Sequence, residues 1–164
     1  TSTTGHQRAD QGYIDNKSNE SLILRNNIIR NSRRYGVLIQ SKYALIENNT
    51  FQNLSGSAIR IENGVDWGEG FRSREIEIKN NIIDNCGYDN TFIEEYNSAA
   101  ISVDMVKVKN PCSENMNFCG TESTSWKGHN DIRIIDNTII YNKRAIYLTN
   151  INNVSVENNF MCTR

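Results

Sequence analysis

The sequence predicts an all-β chain folded as a right-handed, single-stranded parallel β-helix of about five coils. Two observations predict this fold. Five segments share the pattern apolar, any, apolar, any, Asn or Asp, Asn, and they recur on a unit of 22 residues. Four further segments alternate apolar and other residues with period two, which is typical of strands that bury one face.

The first repeat is defined by a pair of polar residues, which we call the Asn pair. Its segments are LILRNNIIRN from Leu22, ALIENNTFQN from Ala44, IEIKNNIIDN from Ile76, IRIIDNTIIYN from Ile132 and VSVENNFMCTR from Val154. The first residues of the five pairs are spaced by 22, 32, 56 and 22 positions, and they are Asn26, Asn48, Asn80, Asp136 and Asn158. One interval is therefore lengthened by 10 residues and one by 34.

The Asn pair predicts a stacked corner of the helix. Asn tolerates the left-handed backbone conformation of a sharp turn, and its amide can bond to the Asn of the next coil. Successive coils stack at the strand spacing of roughly 4.8 Å, so like residues fall above like. We expect the five first positions to lie above one another.

The second repeat follows each Asn pair by about ten residues. Its strands are GVLIQ from Gly36, AIRIE from Ala58, AISVD from Ala100 and AIYLT from Ala145. None has helical periodicity, and their Ile, Leu, Val and Ala positions predict apolar ladders inside the coils. The alternative, a leucine-rich-repeat horseshoe, would need Leu-dominated repeats and a helical half.

The lengthened intervals predict insertions. We expect a polar N-terminal segment or partial coil over residues 1–21 and a β-helix over 22–164, with insertions at 63–73, 86–97 and 105–130. Neither end has an amphipathic cap, so we expect a piece of a longer β-helix whose remaining coils would be partners of this chain. Repeat proteins carry function on their insertions, and these three surround the strands AIRIE and AISVD.

Charge and hydropathy exclude several kinds of partner. Eighteen basic and nineteen acidic side chains are scattered along the chain and give a net charge of −1, so we expect neither nucleic acid nor an anionic membrane as a partner. No apolar run approaches the roughly 18 residues of a membrane span. The first residues, TSTTGHQRAD, lack the features of a signal peptide. The cysteine count weakly favours secretion, and we expect a secreted, periplasmic or cell-surface location.

The cysteines do not predict a metal site. Four cysteines are too few for a disulfide scaffold and form no CxxC pair, and we expect no metal and no cofactor. Cys112 and Cys119 enclose six polar-rich residues, so a local disulfide is one alternative. Cys86 and Cys162 each follow an Asn-pair segment, and we expect them to pack in the interior.

Strand alternation predicts a cluster of polar side chains on one outward face. If the isoleucines of AIRIE point inward, Arg60 and Glu62 point outward, and Ser102 and Asp104 do the same one coil further on. Glu62 and Asp104 are then stacked carboxylates about 5 Å apart, and such a pair can keep one carboxyl protonated as a general acid. The alternative is a solvated charged face on which Arg60 neutralises the carboxylates.

The insertions add candidates of the kind that bind sugars. Asp66, Trp67 and Glu69 lie in a glycine-rich stretch, and Trp is the residue type that stacks on the apolar face of a sugar ring. A Trp that merely anchors its loop is the alternative. Trp126 is a second candidate platform, and His129 is a candidate binding residue, although a lone His is more often structural.

These segments resemble a known enzyme family. The runs AIRIENGVDWGEGFRSREIEIKNNIIDNC, AAISVDM and HNDIRIIDNTIIYNKRAIYLTNINNVSVENN are similar to glycoside hydrolase family 110, which comprises β-helix exo-α-1,3-galactosidases that invert the anomeric centre. The resemblance covers roughly residues 37–160. The W-x-E-G loop and the H-x-x-I-R-I-x-x-N-T segment carry most of it.

The resemblance implies a glycosidase that hydrolyses terminal α-linked galactose in an oligosaccharide or polysaccharide. Inverting enzymes hold their two carboxyl groups roughly 6.5 to 9.5 Å apart, which is wider than directly stacked neighbours. We therefore expect Asp104 to pair with Asp66 or Glu69, a choice that stays open, and Glu62 to tune proton affinity. The expected binding residues are Arg60, Trp67, Ser102, Trp126 and His129.

Two other functions remain open. A polysaccharide lyase of the pectate-lyase-like class needs a group that neutralises a uronate and a base such as Arg, so Arg60 beside the two carboxylates fits it. A non-catalytic carbohydrate-binding or adhesin β-helix needs the Trp and the polar loop but not the carboxylates. Calcium dependence would separate the two enzyme classes.

Overall fold

Fourteen strands form three parallel sheets in the residues that the computed structural model describes, which are 19–63, 72–89, 98–105 and 128–164. Sheet A contains β1 (Asn19–Arg25), β4 (Ser41–Glu47), β7 (Arg74–Lys79), β10 (His129–Ile135) and β13 (Ile151–Glu157). Sheet B contains β2 (Ile28–Arg30), β5 (Thr50–Leu54), β8 (Ile82–Cys86), β11 (Thr138–Tyr141) and β14 (Phe160–Thr163). Sheet C contains β3 (Val37–Ile39), β6 (Ile59–Ile61), β9 (Ile101–Val103) and β12 (Ile146–Leu148).

The register of the sheets confirms the predicted parallel β-helix. Leu22 pairs in parallel with Ala44, and in sheet A the column continues through Ile76, Ile132 and Val154. Sheet C likewise stacks the four alternating strands in coil order. Each Asn-pair segment is divided at the pair into two strands that belong to sheets A and B. A full coil therefore contains three strands.

The two members of the Asn pair have different roles. The first residues all adopt left-handed backbone, with φ between 53° and 60°, as expected for Asn26, Asn48, Asn80, Asp136 and Asn158. The stacked amide ladder, however, is formed by the second residues, in which the Oδ1 of each residue after the first accepts the backbone N–H of the ladder residue on the preceding coil at 2.9–3.0 Å. The ladder consists of Asn27, Asn49, Asn81, Asn137 and Asn159.

The expectation that one residue would both turn the chain and form the ladder is therefore wrong. The left-handed residue is exposed at the corner, whereas the next residue is turned into the interior, where Asn49, Asn81 and Asn137 are buried. Their Nδ2 groups also donate to backbone carbonyls of neighbouring strands. A buried amide is stable here because its donors and acceptor are satisfied by adjacent coils.

In the described residues the interior is a column of aliphatic side chains, and Phe51 is the fully buried aromatic side chain among them. Fully buried examples are Ile46, Phe51, Ile59, Ile78 and Ile134. Cys86, which pairs in register with Leu54, is buried as expected, and burial raises the pKa of its thiol to about 12. Cys162 is partly buried. Burial of apolar area at about 25 cal/mol per Å² is the main favourable contribution to such a core.

The strand bounds differ from expectation at three places. β1 begins at Asn19 rather than at Leu22. β8 ends at Cys86 and β10 begins at His129, each within a span assigned to an insertion. The interiors of the three expected insertions lie outside the described residues, as do Cys112 and Cys119. Among the residues described, no helix has the length and apolar character needed to cross a membrane.

Candidate functional site

The outer face of sheet C brings together the polar residues that alternation selected. Arg60 pairs in register with Leu38 on one side and with Ser102 on the other, and Ser102 pairs with Tyr147. The neighbouring isoleucines Ile59 and Ile61 belong to the core, so these residues lie on the opposite side of the sheet. We call this surface the sheet C face.

The two carboxylates stand on adjacent coils at the end of these strands. The backbone N–H of Asp104 donates to the carbonyl of Ile61 at 2.9 Å, and the N–H of Glu62 donates to the carbonyl of Ile39 at 3.4 Å. The strand pairing thus extends one residue beyond the sheet, and Asp104 lies one strand spacing, roughly 4.8 Å, from the backbone of Glu62.

Three polar residues of the sheet C face are shielded from solvent, contrary to the expectation of an open outward face, although Leu38 is exposed. Arg60 is 3% exposed, Ser102 0% and Asp104 7%. Part of the reason is visible in Tyr35, whose ring lies 5.2 Å from the guanidinium carbon of Arg60. A face that is buried and polar must be hydrogen-bonded to be stable, since desolvating polar groups without partners is costly.

Arg60 and Glu62 form a close ion pair on this face. The Nε and Nη2 atoms of Arg60 both lie 2.6 Å from one Glu62 carboxylate oxygen. The pairing arises because residues two apart on a strand share a face. The alternative interpretation was a solvated face on which Arg60 neutralises the carboxylates. The structure agrees with it in the pairing of Arg60 with Glu62, but the face is not solvated at Arg60, which is buried.

Several polar side-chain atoms are buried without a partner, and two of them belong to Gln40 and Ser102 of this face. Within the described ranges these atoms are Gln40 Nε2, Ser73 Oγ, Arg74 Nε and Ser102 Oγ. Gln40 follows β3 on the coil next to Glu62, and Ser102 is fully buried in β9. An unsatisfied buried polar group costs about 1–3 kcal/mol, and an ordered water is a common way to satisfy it.

His129 is a bridge between coils. Its Nδ1 accepts a hydrogen bond from the backbone N–H of Ser73 at 2.9 Å, so Nε2 carries the proton and donates to the carbonyl of Asp104 at 3.0 Å. Burial lowers the pKa of His129 to about 4, against the opposing effect of its two backbone hydrogen bonds. The ring is therefore neutral at pH 7.

This geometry revises the expected binding role of His129. Both ring nitrogens are occupied by backbone groups and the side chain is 0% exposed, so neither nitrogen faces a substrate. His129 instead fixes the backbone at Asp104, where the strand of sheet C ends.

The remaining candidates lie outside the described residues, and they are Asp66, Trp67, Glu69 and Trp126. Among those described, no group of three or more His, Cys, Asp or Glu side chains is arranged to hold a metal ion. Alternation along β3 also places Gln40 on the sheet C face, although Gln40 was not among the expected binding residues.

Comparisons with known proteins identify the fold family. A family model described as right handed beta helix region matches residues 13–161. Neither the curated proteins nor the solved structures gave a match. The family accommodates carbohydrate-active enzymes, lyases and carbohydrate-binding proteins. Since the match spans most of the sequence and agrees with the three parallel sheets, the chain belongs to the right-handed β-helix family.

Proposed function

We propose that this protein is a glycoside hydrolase that releases terminal α-linked galactose with inversion. The observation that carries the proposal is the sheet C face, where Asp104 lies one coil from the ion pair of Arg60 and Glu62. Carboxyl groups are the acids and bases of glycoside hydrolysis.

Asp104 is the proposed catalytic carboxyl of this face. It follows β9 directly, and its backbone is held by Ile61 on one side and by His129 on the other. A catalytic group needs this kind of fixed position, because small displacements from the productive geometry reduce the rate strongly.

A second acid from the insertion at 63–73 completes the proposed mechanism. One carboxylic acid protonates the leaving oxygen, and the other carboxylate activates a water on the opposite face of the sugar ring. We assign the second carboxyl group to Asp66 or Glu69. Glu62 is excluded because it is stacked next to Asp104, which is too near for inversion, and because it is already paired with Arg60. Glu62 then acts through Arg60, whose guanidinium it holds in place.

The resemblance to glycoside hydrolase family 110 supports the choice of sugar and stereochemistry. In this proposal Trp67 stacks on the galactose ring, as the W-x-E-G loop suggests, and Trp126 offers a second platform. The substrate is an oligosaccharide or polysaccharide encountered outside the cytoplasm. The chain needs no cofactor for this chemistry, because both proton transfers are performed by carboxyl groups.

A non-catalytic carbohydrate-binding protein is the second candidate. The ion pair of Glu62 with Arg60 favours this alternative, because a carboxylate held in an ion pair is not available for proton transfer. The lyase alternative has less support, because Arg60 donates to Glu62 through two nitrogens and a guanidinium paired in this way stays protonated rather than acting as a base.

The decisive variant is Asp104→Asn, assayed for hydrolysis of an α-1,3-linked galactobiose. We expect turnover to fall by about 10²- to 10⁴-fold, the usual contribution of a general acid or base. Asp136→Asn is the matched control, because Asn occupies the equivalent corner of four other coils. Near-normal turnover in Asp104→Asn would refute the assignment, and galactobiose binding without any wild-type hydrolysis would favour the binding protein.

A further inference from the structure

The described ends of two insertions meet at one buried imidazole. The insertion at 63–73 rejoins the coils at Ser73, directly before β7, and the insertion at 105–130 leaves them directly after Asp104. The second insertion rejoins the coils at His129, the first residue of β10. The ring of His129 accepts the N–H of Ser73 at 2.9 Å and donates to the carbonyl of Asp104 at 3.0 Å. One side chain therefore joins the return of the first insertion to the departure of the second.

Backbone hydrogen bonds hold each of these ends on its own coil neighbour. The carbonyl of Ser73 accepts the N–H of Asn130 at 3.0 Å, and the N–H of Asp104 donates to the carbonyl of Ile61 at 2.9 Å. These bonds belong to the stacking of the coils, and neither of them joins Ser73 to Asp104. Among the described contacts, the bridge between the two ends is made by the ring of His129.

We infer that His129 is a positioning residue, which fixes Asp104 relative to the returning end of the insertion at 63–73. The inference rests on the proposed function, in which Asp104 and an acid of that insertion act on the same sugar ring. Two such groups must keep their separation closely, because a displacement of about 1 Å can lower the rate about 100-fold. The neutral imidazole suits this role, because a rigid ring holds one acceptor and one donor at a fixed separation.

Two substitutions divide the bridge into its halves. The side-chain oxygen of Asn lies near the position of the Nδ1 atom of His, and the side-chain NH₂ group of Gln lies near that of Nε2. His129→Asn therefore keeps an acceptor for the N–H of Ser73 and loses the donor to Asp104. His129→Gln keeps the donor to Asp104 and loses the acceptor for Ser73.

Amide hydrogen exchange, followed by NMR at pH 7, measures both halves without a substrate. In His129→Gln the Ser73 amide should exchange about 5- to 10-fold faster than in the wild type, the equivalent of one neutral hydrogen bond. In His129→Asn the Ser73 amide should stay near the wild-type rate and the Asp104 amide should exchange faster. Asn81→Ala is the matched control, because it removes another buried bridge between coils, and it should accelerate the Asn49 amide and leave Ser73 unchanged.

The values of kcat and KM for α-1,3-linked galactobiose, taken per folded molecule, measure the effect on the reaction. His129→Asn should lower kcat about 10- to 100-fold and change KM by less than about 2-fold, because the substrate still binds while Asp104 is displaced. His129→Gln should keep kcat within about 3-fold of the wild type. Asn81→Ala should change neither value. A His129 that only stabilises the fold would leave kcat per folded molecule unchanged in both variants.

The outcomes separate this inference from the proposed function. A Ser73 amide that does not respond to His129→Gln, or equal kcat values in the two His129 variants, would overturn the inference, and the exchange result decides it even where His129→Asn does not fold. If the exchange pattern is as expected and the wild type releases no galactose, the bridge stands and the hydrolase proposal fails. If the wild type hydrolyses galactobiose and neither variant changes kcat, the hydrolase proposal stands and the inference fails.

Discussion

Protonation of His129 should destabilise the folded chain in mild acid. The neutral ring connects the start of β10 to Ser73 and to Asp104 through two backbone hydrogen bonds, and it is completely buried. A proton on Nδ1 would replace the acceptor of the Ser73 N–H by a second donor. The bridge is therefore made by the neutral form alone.

The direction of the pH dependence follows from the two pKa values of this group. Burial lowers the pKa of His129 from 6.5 to about 4 in the folded chain. Between these values the unfolded chain binds a proton that the folded chain does not, so stability is complete above pH 6.5 and decreases as the pH falls toward 4. The difference corresponds to about 3 kcal/mol, at 1.36 kcal/mol for each pH unit.

Urea unfolding of the wild type and of His129→Gln between pH 7.5 and 4 measures this effect. The advantage of the wild type over the variant should shrink by about 3 kcal/mol across this range, because Gln does not titrate and the carboxylates cancel in the comparison. His6→Gln, at the other histidine of the sequence, is the control and should retain the wild-type dependence. A constant difference between wild type and His129→Gln would refute the reasoning.

The fold and the ion pair give two further predictions, both measured by urea unfolding. Asn81→Ala should lower the free energy of unfolding by about 3 kcal/mol, because it leaves the buried N–H of Asn49 without its acceptor. Asn80→Ala should lower it by only about 1 kcal/mol, because Ala is less stable than Asn in left-handed backbone. The reverse order would contradict the division of roles within the Asn pair. Arg60→Met should lower the free energy of unfolding by about 3 kcal/mol, because it removes the cation paired with the Glu62 carboxylate, and adding Glu62→Leu should restore most of that loss. Equal stability of the single and the double variant would contradict a strong ion pair.

The fold was largely predictable because the same turn residues and the same buried apolar positions recur in every coil of a β-helix. The spacing of the Asn pairs and the alternation of AIRIE and AISVD are enough to predict parallel coils, the inward isoleucines and the left-handed corner. The division of roles between Asn80 and Asn81 was not predictable from residue type, since both are Asn. It depends on backbone φ, which turns the first outward and the second into the interior.

The site was predictable in part. Alternation places Arg60, Glu62 and Ser102 on one face of a sheet, but whether that face is exposed depends on what packs over it, as Tyr35 does over Arg60. The role of His129 depends on contacts with residues 56 and 25 positions away, which only the stacking of lengthened coils brings together. No sequence pattern around a lone His indicates such distant partners.

The most direct test of the proposed activity is the anomeric configuration of the first product, followed by proton NMR during hydrolysis of an α-1,3-linked galactobiose. An inverting mechanism built on Asp104 and a loop carboxylate predicts that β-galactose forms first and that the α anomer grows in only by mutarotation. Initial release of α-galactose would instead indicate retention through closely stacked carboxyls and would contradict the account, as would the absence of any released galactose.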